Sequence, residues 1–540
     1  MKFHEAFARA LRALDIDTVF GVMGDANLFI ADSFVRVVGG RFVAASHEAG
    51  AVLMAAGYAS VTGNVGVATV THGAAVSNAV TSLIDAARSR RPLLVIAGDT
   101  PASDKHNLQN LPQAEIVAPT GAGIERVRTP ETVYDDLQQA VRRATVERRP
   151  IVLEVPSDFQ WAEIQEGEPV RPTQVRPAAP DPEAVEQAVG LLSMAHRPVI
   201  LAGRGATTNA ARDALLQLAE RLGAPVATTL LGKDLFRGDA FDLGICGNLG
   251  HPEGLEAITR SDCIVAFGAG LNELTTDRGE LVNGKRIIQC DLDPAAFGRY
   301  TRVDVAVLGD AAVTAQALCE LLDEAELAPS TFRSEALRAR LADARPIRST
   351  AGSRPGTVDI ADACTELEAT LPAERTLVVD GGRFMFETLK RLSVPHPTAY
   401  VHTTSIASIG LGMGHAIGAA VGAPGRATVL VCGDGGFMLG GLAELSTAVR
   451  HGLDLVVVVM NDGAYGAEHV QLVLRDLPPD STQFAWPDFA DLARALGGNG
   501  VTVRSEEDFP LMAKAIEARS QPLLVDIRLD PLAVPTAWRH

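Results

Sequence analysis

The chain has 540 residues, 47% of them hydrophobic, and a formal net charge of −18 at neutral pH. That length exceeds a single core and points to about three domains, while the acidic balance argues against nucleic acid and no uninterrupted apolar stretch is long enough to span a bilayer. Six cysteines without paired spacing argue against a zinc site or a disulfide framework, and the start of the chain lacks a signal-peptide pattern, so a cytoplasmic location is expected.

Short apolar runs alternate with helical patterns along the whole chain, which predicts an α/β fold of three doubly wound domains with parallel sheets. The first domain, residues 1–165, opens on an amphipathic helix and has predicted strands at 18–20, 65–70, 93–97 and 151–155. A proline-rich stretch at 166–182 leads into a central domain, 183–335, with predicted strands at 199–202, 225–229, 263–267 and 286–291. A helical pattern at 334–344 and a second linker-like stretch at 345–357 precede the third domain, 357–535. Its predicted strands lie at 376–379, 428–432, 455–460 and 523–527.

The third domain carries the most informative motif. The strand at 428–432 runs into a glycine turn with one carboxylate, Gly433-Asp434-Gly435-Gly436, then a helix ending near Gly452. The next strand ends in Asn461-Asp462-Gly463. This order puts Asp434 and Asp462 at the carboxyl ends of neighbouring parallel strands, where α/β sheets bind ligands. Glycines let a backbone approach phosphate closely, and the following helix N-terminus favours its charge. Two carboxylates beside a phosphate require a divalent cation between them, and Mg²⁺ suits such shared oxygen ligation. An ordinary nucleotide-binding turn is the competing reading.

A GDG turn, a helix, a hydrophobic strand and an Asn-rich turn together resemble the signature of the thiamine-diphosphate (ThDP) enzymes. The likeness is to the family of acetolactate synthases, pyruvate decarboxylases and benzoylformate decarboxylases. It implies ThDP and Mg²⁺ as cofactors, with Gly433, Asp434, Gly435, Gly436 and Tyr465 at the diphosphate. Counting from Asp434 by the family spacing lands the second metal ligand on Asn461. Anchoring on Glu444-Leu445 and Tyr465-Gly466 lands it on Asp462, with the Ala464 carbonyl, and implies one extra residue near Gly440-Gly441. Asp462 is preferred because two anchors agree, and Asn461 is the alternative.

His47-Glu48, opening a helix, is similar to the family's segment around its essential glutamate. The resemblance gives Glu48 to the N1′ atom of the cofactor's aminopyrimidine, where a carboxylic acid promotes loss of the thiazolium C2 proton. A plain first-turn acid is the alternative. Because the glutamate and the diphosphate motif come from different subunits in the family, a homodimer or homotetramer is implied. Gly24-Asp25-Ala26-Asn27-Leu28 is similar to a pyruvate decarboxylase loop, and Thr71-His72-Gly73 to the catalytic-histidine loop of benzoylformate decarboxylases. Asp25 and His72 are therefore candidate proton-handling groups, against helix capping for Asp25 and a satisfied loop histidine for His72. Gln113 loosely matches a glutamine near the substrate. Ile409 matches the bulky residue that bends the cofactor, against a plain core role. Glu468, after the metal turn, matches a decarboxylase glutamate, against a solvated helix face.

Some segments depart from the family pattern. Residues 268–274 do not reproduce the acetolactate synthase segment that meets FAD, so FAD is a doubtful cofactor. The glycines of Ala202-Gly203-Arg204-Gly205 are a weak dinucleotide signal, and Val470-Gln471-Leu472 carries no tryptophan for a second substrate. The resulting expectation is C–C bond lysis or ligation on a 2-oxo acid, as acetolactate-synthase-like carboligation through an enamine. Simple decarboxylation is the alternative, followed by a flavin-dependent oxidase and a non-catalytic protein of the same fold.

Overall fold

The computed structural model describes residues 1–104, 106–170, 176–344 and 354–533, so both linker-like stretches lie partly outside the described residues. Three six-stranded sheets follow one another along the chain. The first contains β1 (Thr18–Gly21), β2 (Arg41–Ala44), β3 (Gly66–Val70), β4 (Leu93–Asp99), β5 (Gly123–Arg126) and β6 (Pro150–Pro156), ordered β2-β1-β3-β4-β6-β5. The second contains β7 (Pro198–Ala202), β8 (Val226–Thr228), β9 (Asp242–Ile245), β10 (Cys263–Phe267), β11 (Arg286–Asp291) and β12 (Val305–Leu308), ordered β12-β11-β10-β7-β8-β9. The third contains β13 (Arg375–Val379), β14 (Tyr400–His402), β15 (Ala427–Gly433), β16 (Leu455–Asn461), β17 (Asn499–Val503) and β18 (Leu523–Arg528), ordered β14-β13-β15-β16-β18-β17. The paired strands run parallel, giving three α/β domains as expected.

Every predicted strand forms, because Val, Ile and Leu runs such as Leu455–Asn461 are buried along their whole length. Six strands were not expected: β2, β5, β9, β12, β14 and β17. A second difference lies at the glycine turn, where the helix begins at Asp434 itself and the helical run continues to Arg450. A third concerns Gly203 and Gly205. A Cβ on them would come within 2.3 Å of the Gly268 carbonyl and 2.8 Å of its Cα, so these glycines serve backbone packing between the ends of β7 and β10.

The described residues fall into two compact units, one holding the first and third sheets, the other the central sheet with Leu389–Tyr400. Within the first unit, helix Glu48–Thr62 lies against helix Gly412–Gly422. Both are lined with Ala and Gly, and the backbones nearly touch. A Cβ on Gly57 would sit 2.1 Å from the His415 carbonyl oxygen, and one on Gly418 only 1.8 Å from that of Met54. The obstacle is backbone, which cannot rotate away. Gly418→Ala should therefore destabilise this unit by roughly 3 kcal/mol or more, read as a lowered melting temperature, whereas an unchanged melting curve would contradict this packing.

Candidate active site

In the third sheet the strand order reverses beside β13, so the crevice outside the carboxyl ends of β13 and β15 is where such sheets bind ligands. Three segments meet there: 380–383 after β13, 433–436 after β15, and 462–465 after β16. Asp434 is 2% exposed and the Asp462 side chain 6%. Asp434 Oδ2 accepts a hydrogen bond from Trp486 Nε1 at 2.8 Å. Asp462 accepts one from the Ala464 amide at 3.0 Å and one from Arg383 Nε at 2.5 Å. Burial, then the neighbouring Asp462 charge, pushes Asp434 up to about 7; burial also raises Asp462, against the pull of Arg383.

Asn461 points elsewhere. Its Nδ2 donates to Asp526 Oδ1 at 2.8 Å, and its Oδ1 accepts from the Gly463 amide at 3.2 Å. The helix after Asp434 also contains a π turn at Phe437–Gly441. Its wider i to i+5 spacing holds one more residue than an α turn, at the place where the Glu444 and Tyr465 anchors require one.

The 463–465 turn is strapped to the chain beyond it: the Tyr465 amide donates to Thr482 O at 2.9 Å and the Phe484 amide to Gly463 O at 2.7 Å. The Tyr465 and Phe484 rings meet at 4.6 Å, and Phe484 stacks on Trp486 at 4.7 Å, forming an aromatic wall that ends on Asp434. Ile409 is half-buried and stands over Gly381 and Gly436, whose Cβ positions would lie 3.3 Å from its Cγ2 and 3.7 Å from its Cβ. Buried Asp380 holds the turn behind it, with Oδ2 accepting from the Gly410 amide at 2.8 Å. Helix Gly466–Val473 starts after Tyr465, but Glu468 faces outward in this chain. Its neighbour His469 is fully buried, with Nδ1 3.0 Å from Thr482 Oγ1 and Nε2 without a hydrogen-bond partner among the described residues.

The first sheet carries candidate groups of its own. Glu48 is the first residue of its helix, and its Oε2 accepts from Asn78 Nδ2 at 3.1 Å. The turn before it is clamped by buried Glu444, whose carboxylate accepts from the Ser46 amide at 3.1 Å and the His47 amide at 3.0 Å. Asp25 is exposed, accepts from Thr71 Oγ1 at 3.0 Å, and approaches Nδ1 of buried His72 to 4.0 Å. Asp25 and His72 are thus brought together. Asn27, not Asp25, is the cap residue of the helix Leu28–Arg36. Gln113 is buried beneath this loop, accepting from the Gly73 amide at 2.8 Å and donating to Gly98 O at 3.0 Å, so it braces the loop.

Arg383, Trp486, His469 and Asn78 were not read from the sequence as site residues. Only Arg383 carried a local signal, following two glycines at a strand end. The donor set fits a hard divalent cation: two buried carboxyl groups at the ends of adjacent strands, Asp434 pushed up to about 7 by burial first and then by Asp462. Among the described residues no group of three His, Cys, Asp or Glu side chains is placed to hold a metal.

Models of the thiamine pyrophosphate (ThDP) enzymes match the chain in three places: the N-terminal TPP binding domain over residues 1–120, the central domain over 185–318 and the C-terminal TPP binding domain over 380–527. The chain belongs to the thiamine pyrophosphate enzyme family. It is 31% identical to a probable 2-ketoarginine decarboxylase of Pseudomonas aeruginosa, over 97% of this chain and 93% of that protein. An acetolactate synthase large subunit of Parasynechococcus marenigrum is 28% identical over 97% of this chain and 87% of its own. A sulfoacetaldehyde acetyltransferase of Alcaligenes xylosoxydans xylosoxydans is 28% identical over 95% and 90%. As a thiamine pyrophosphate enzyme the chain is a ThDP-dependent carboligase or decarboxylase. Among its described residues no helix is long and apolar enough to cross a membrane.

Proposed function

We propose that this thiamine pyrophosphate enzyme cleaves the C–C bond next to the carbonyl of a 2-oxo acid and transfers the retained fragment to a second carbonyl compound, with Mg²⁺ holding the cofactor. The observation that carries the metal site is the buried pair Asp434 and Asp462 at the sheet's switch point. The carboligation reading is supported by relatives named as an acetolactate synthase and an acetyltransferase over nearly the whole chain.

ThDP, when bound, supplies a nucleophilic carbon that adds to a carbonyl and stabilises the electron pair left by C–C cleavage. Asp434, Asp462 and the Ala464 carbonyl would hold the metal, and the backbone amides of Gly433–Gly436 would serve the diphosphate. Glu48 holds a proton at the pyrimidine N1′ atom. Ile409 orients the cofactor by bulk. Asp25 and His72 move protons at the substrate oxygen and carbon. The working form is a cytoplasmic homodimer or homotetramer in which Glu48 and Asp434 of one site come from different subunits.

A second reading, release of an aldehyde after simple decarboxylation, is favoured by the Asp25–His72 pair, since two proton-handling groups 4.0 Å apart could deliver the proton to carbon that ends such a reaction. One experiment separates these readings. The protein, loaded with ThDP, Mg²⁺ and pyruvate, is quenched in acid and the recovered cofactor examined by proton NMR. A covalent two- or three-carbon adduct establishes pyruvate as donor, and added carbonyl acceptors then draw it into a ligation product. Adduct that discharges only to aldehyde overturns ligation, and unmodified cofactor overturns pyruvate as donor.

A further inference from the structure

Arg383 is a cation set into this crevice on which the proposed roles make no claim. It ends the Asp380-Gly381-Gly382-Arg383 turn after β13, opposite Asp434 across the switch point. Its side chain is 2% exposed, an unusual depth for arginine, which is almost never fully buried unless paired. Every arm of the guanidinium is engaged: Nε donates to Asp462 Oδ2 at 2.5 Å, one terminal nitrogen to Asp530 O at 2.6 Å, and the other to Ala533 O. The fit is tight. A Cβ on Gly466 would lie 2.2 Å from Asp462 Oδ2 and 2.8 Å from Arg383 Cδ, so no larger residue fits beside the pair.

Asp462 has a second tie, since Ala464 N donates to Oδ1. Both of its oxygens are therefore occupied in this chain, and the guanidinium neutralises the charge that a metal would use. A buried ion pair is held by mutual attraction in a medium that screens poorly, and a divalent cation arriving on the same carboxylate meets the guanidinium as a like charge. Resting on the metal-site reading above, we propose that Arg383 is an internal competitor for the divalent cation: it holds Asp462 while no metal is present, and it yields that carboxylate only when a diphosphate enters to take up the guanidinium. Metal alone then binds weakly, and metal and diphosphate load cooperatively. Coupling of this kind is reciprocal, so each ligand tightens the other by the same factor. Arg383 acts through Asp462 on the cation and directly on the anion, and is a positioning residue for loading.

The test is equilibrium binding of Mn²⁺, read by electron paramagnetic resonance on the full-length protein stripped of cofactor, with and without ThDP. In Arg383→Gln, metal-only affinity should rise roughly tenfold or more, the scale set by removing one adjacent charge, and the tightening produced by ThDP should shrink. Unchanged or weaker Mn²⁺ binding in Arg383→Gln overturns the proposal, because a mere brace of Asp462 predicts that result. Arg383→Lys keeps the charge but cannot span the carboxylate and both carbonyls, so its metal-only affinity should fall between the two. If Arg383→Gln does not fold, a gain in Arg383→Lys supports the competitor role and no gain overturns it. A parent protein that takes up no Mn²⁺ even with ThDP overturns the metal-site reading as well, which keeps the two failures apart.

Discussion

Glu48→Gln is expected to bind ThDP nearly as tightly as the parent and to lose turnover by about 10²- to 10⁴-fold, the usual range for removing a positioned acid or base. The substitution is mild structurally. Gln keeps an oxygen to accept from Asn78 Nδ2, and the clamp from Glu444 acts on the amides of residues 46 and 47, not on the Glu48 side chain. On the proposed role, what is lost is the carboxylic proton at N1′, so exchange of the cofactor C2 proton in deuterated buffer should slow in step with turnover. Proton NMR measures that exchange directly. Exchange at the parent rate would move the role away from Glu48, and loss of ThDP binding would make Glu48 a binding group instead.

The second large effect is expected at the metal. Asp462→Ala should weaken Mg²⁺-dependent ThDP binding by roughly 100-fold or more, and Asn461→Ala by much less, since losing even an outer-shell partner of a metal costs about 10- to 100-fold. The two variants should be closer in stability. Asp462→Ala leaves the buried Arg383 without its carboxylate, while Asn461→Ala leaves buried Asp526 without its amide donor. Calorimetric titration of ThDP at fixed Mg²⁺ ranks affinity, and melting curves rank stability. Matching ranks in both would mean that Asp462 acts only through folding, and the reverse affinity order would return the ligand to Asn461.

The interior of each sheet was legible because its strands are buried on both faces and read as unbroken apolar runs, as in Cys263–Phe267 and Arg375–Val379. The six strands that escaped notice are the two outermost of each sheet. Arg41–Ala44, Asp242–Ile245 and Val305–Leu308 alternate or fray toward solvent, so their residues carry no continuous hydrophobic signal. Asp434 and Asp462 could be placed at the ends of neighbouring strands from the apolar runs and glycines, whereas Tyr465 and the preference for Asp462 over Asn461 came from the family resemblance. His469 could not be preferred over Glu468, since a helix just entered gives no phase to say which neighbour turns inward. Trp486 and Asn78 come from segments whose approach to Asp434 and Glu48 depends on tertiary folding, not on any local pattern.

The backbone contact between helices Glu48–Thr62 and Gly412–Gly422 has a consequence for how this protein can be varied. The first helix begins at Glu48, and the second follows directly on the turn that carries Ile409. With Gly57 and Gly418 keyed into opposing carbonyls and Glu444 gripping the approach to Glu48, these segments share one geometric frame. Residues almost four hundred positions apart in sequence thus constrain one another sterically. A chimera joining the first sheet of one relative to the third sheet of another must carry both helices and Glu444 from the same parent, whereas the exposed Asp25 is tied to Thr71 within the first sheet's own loops.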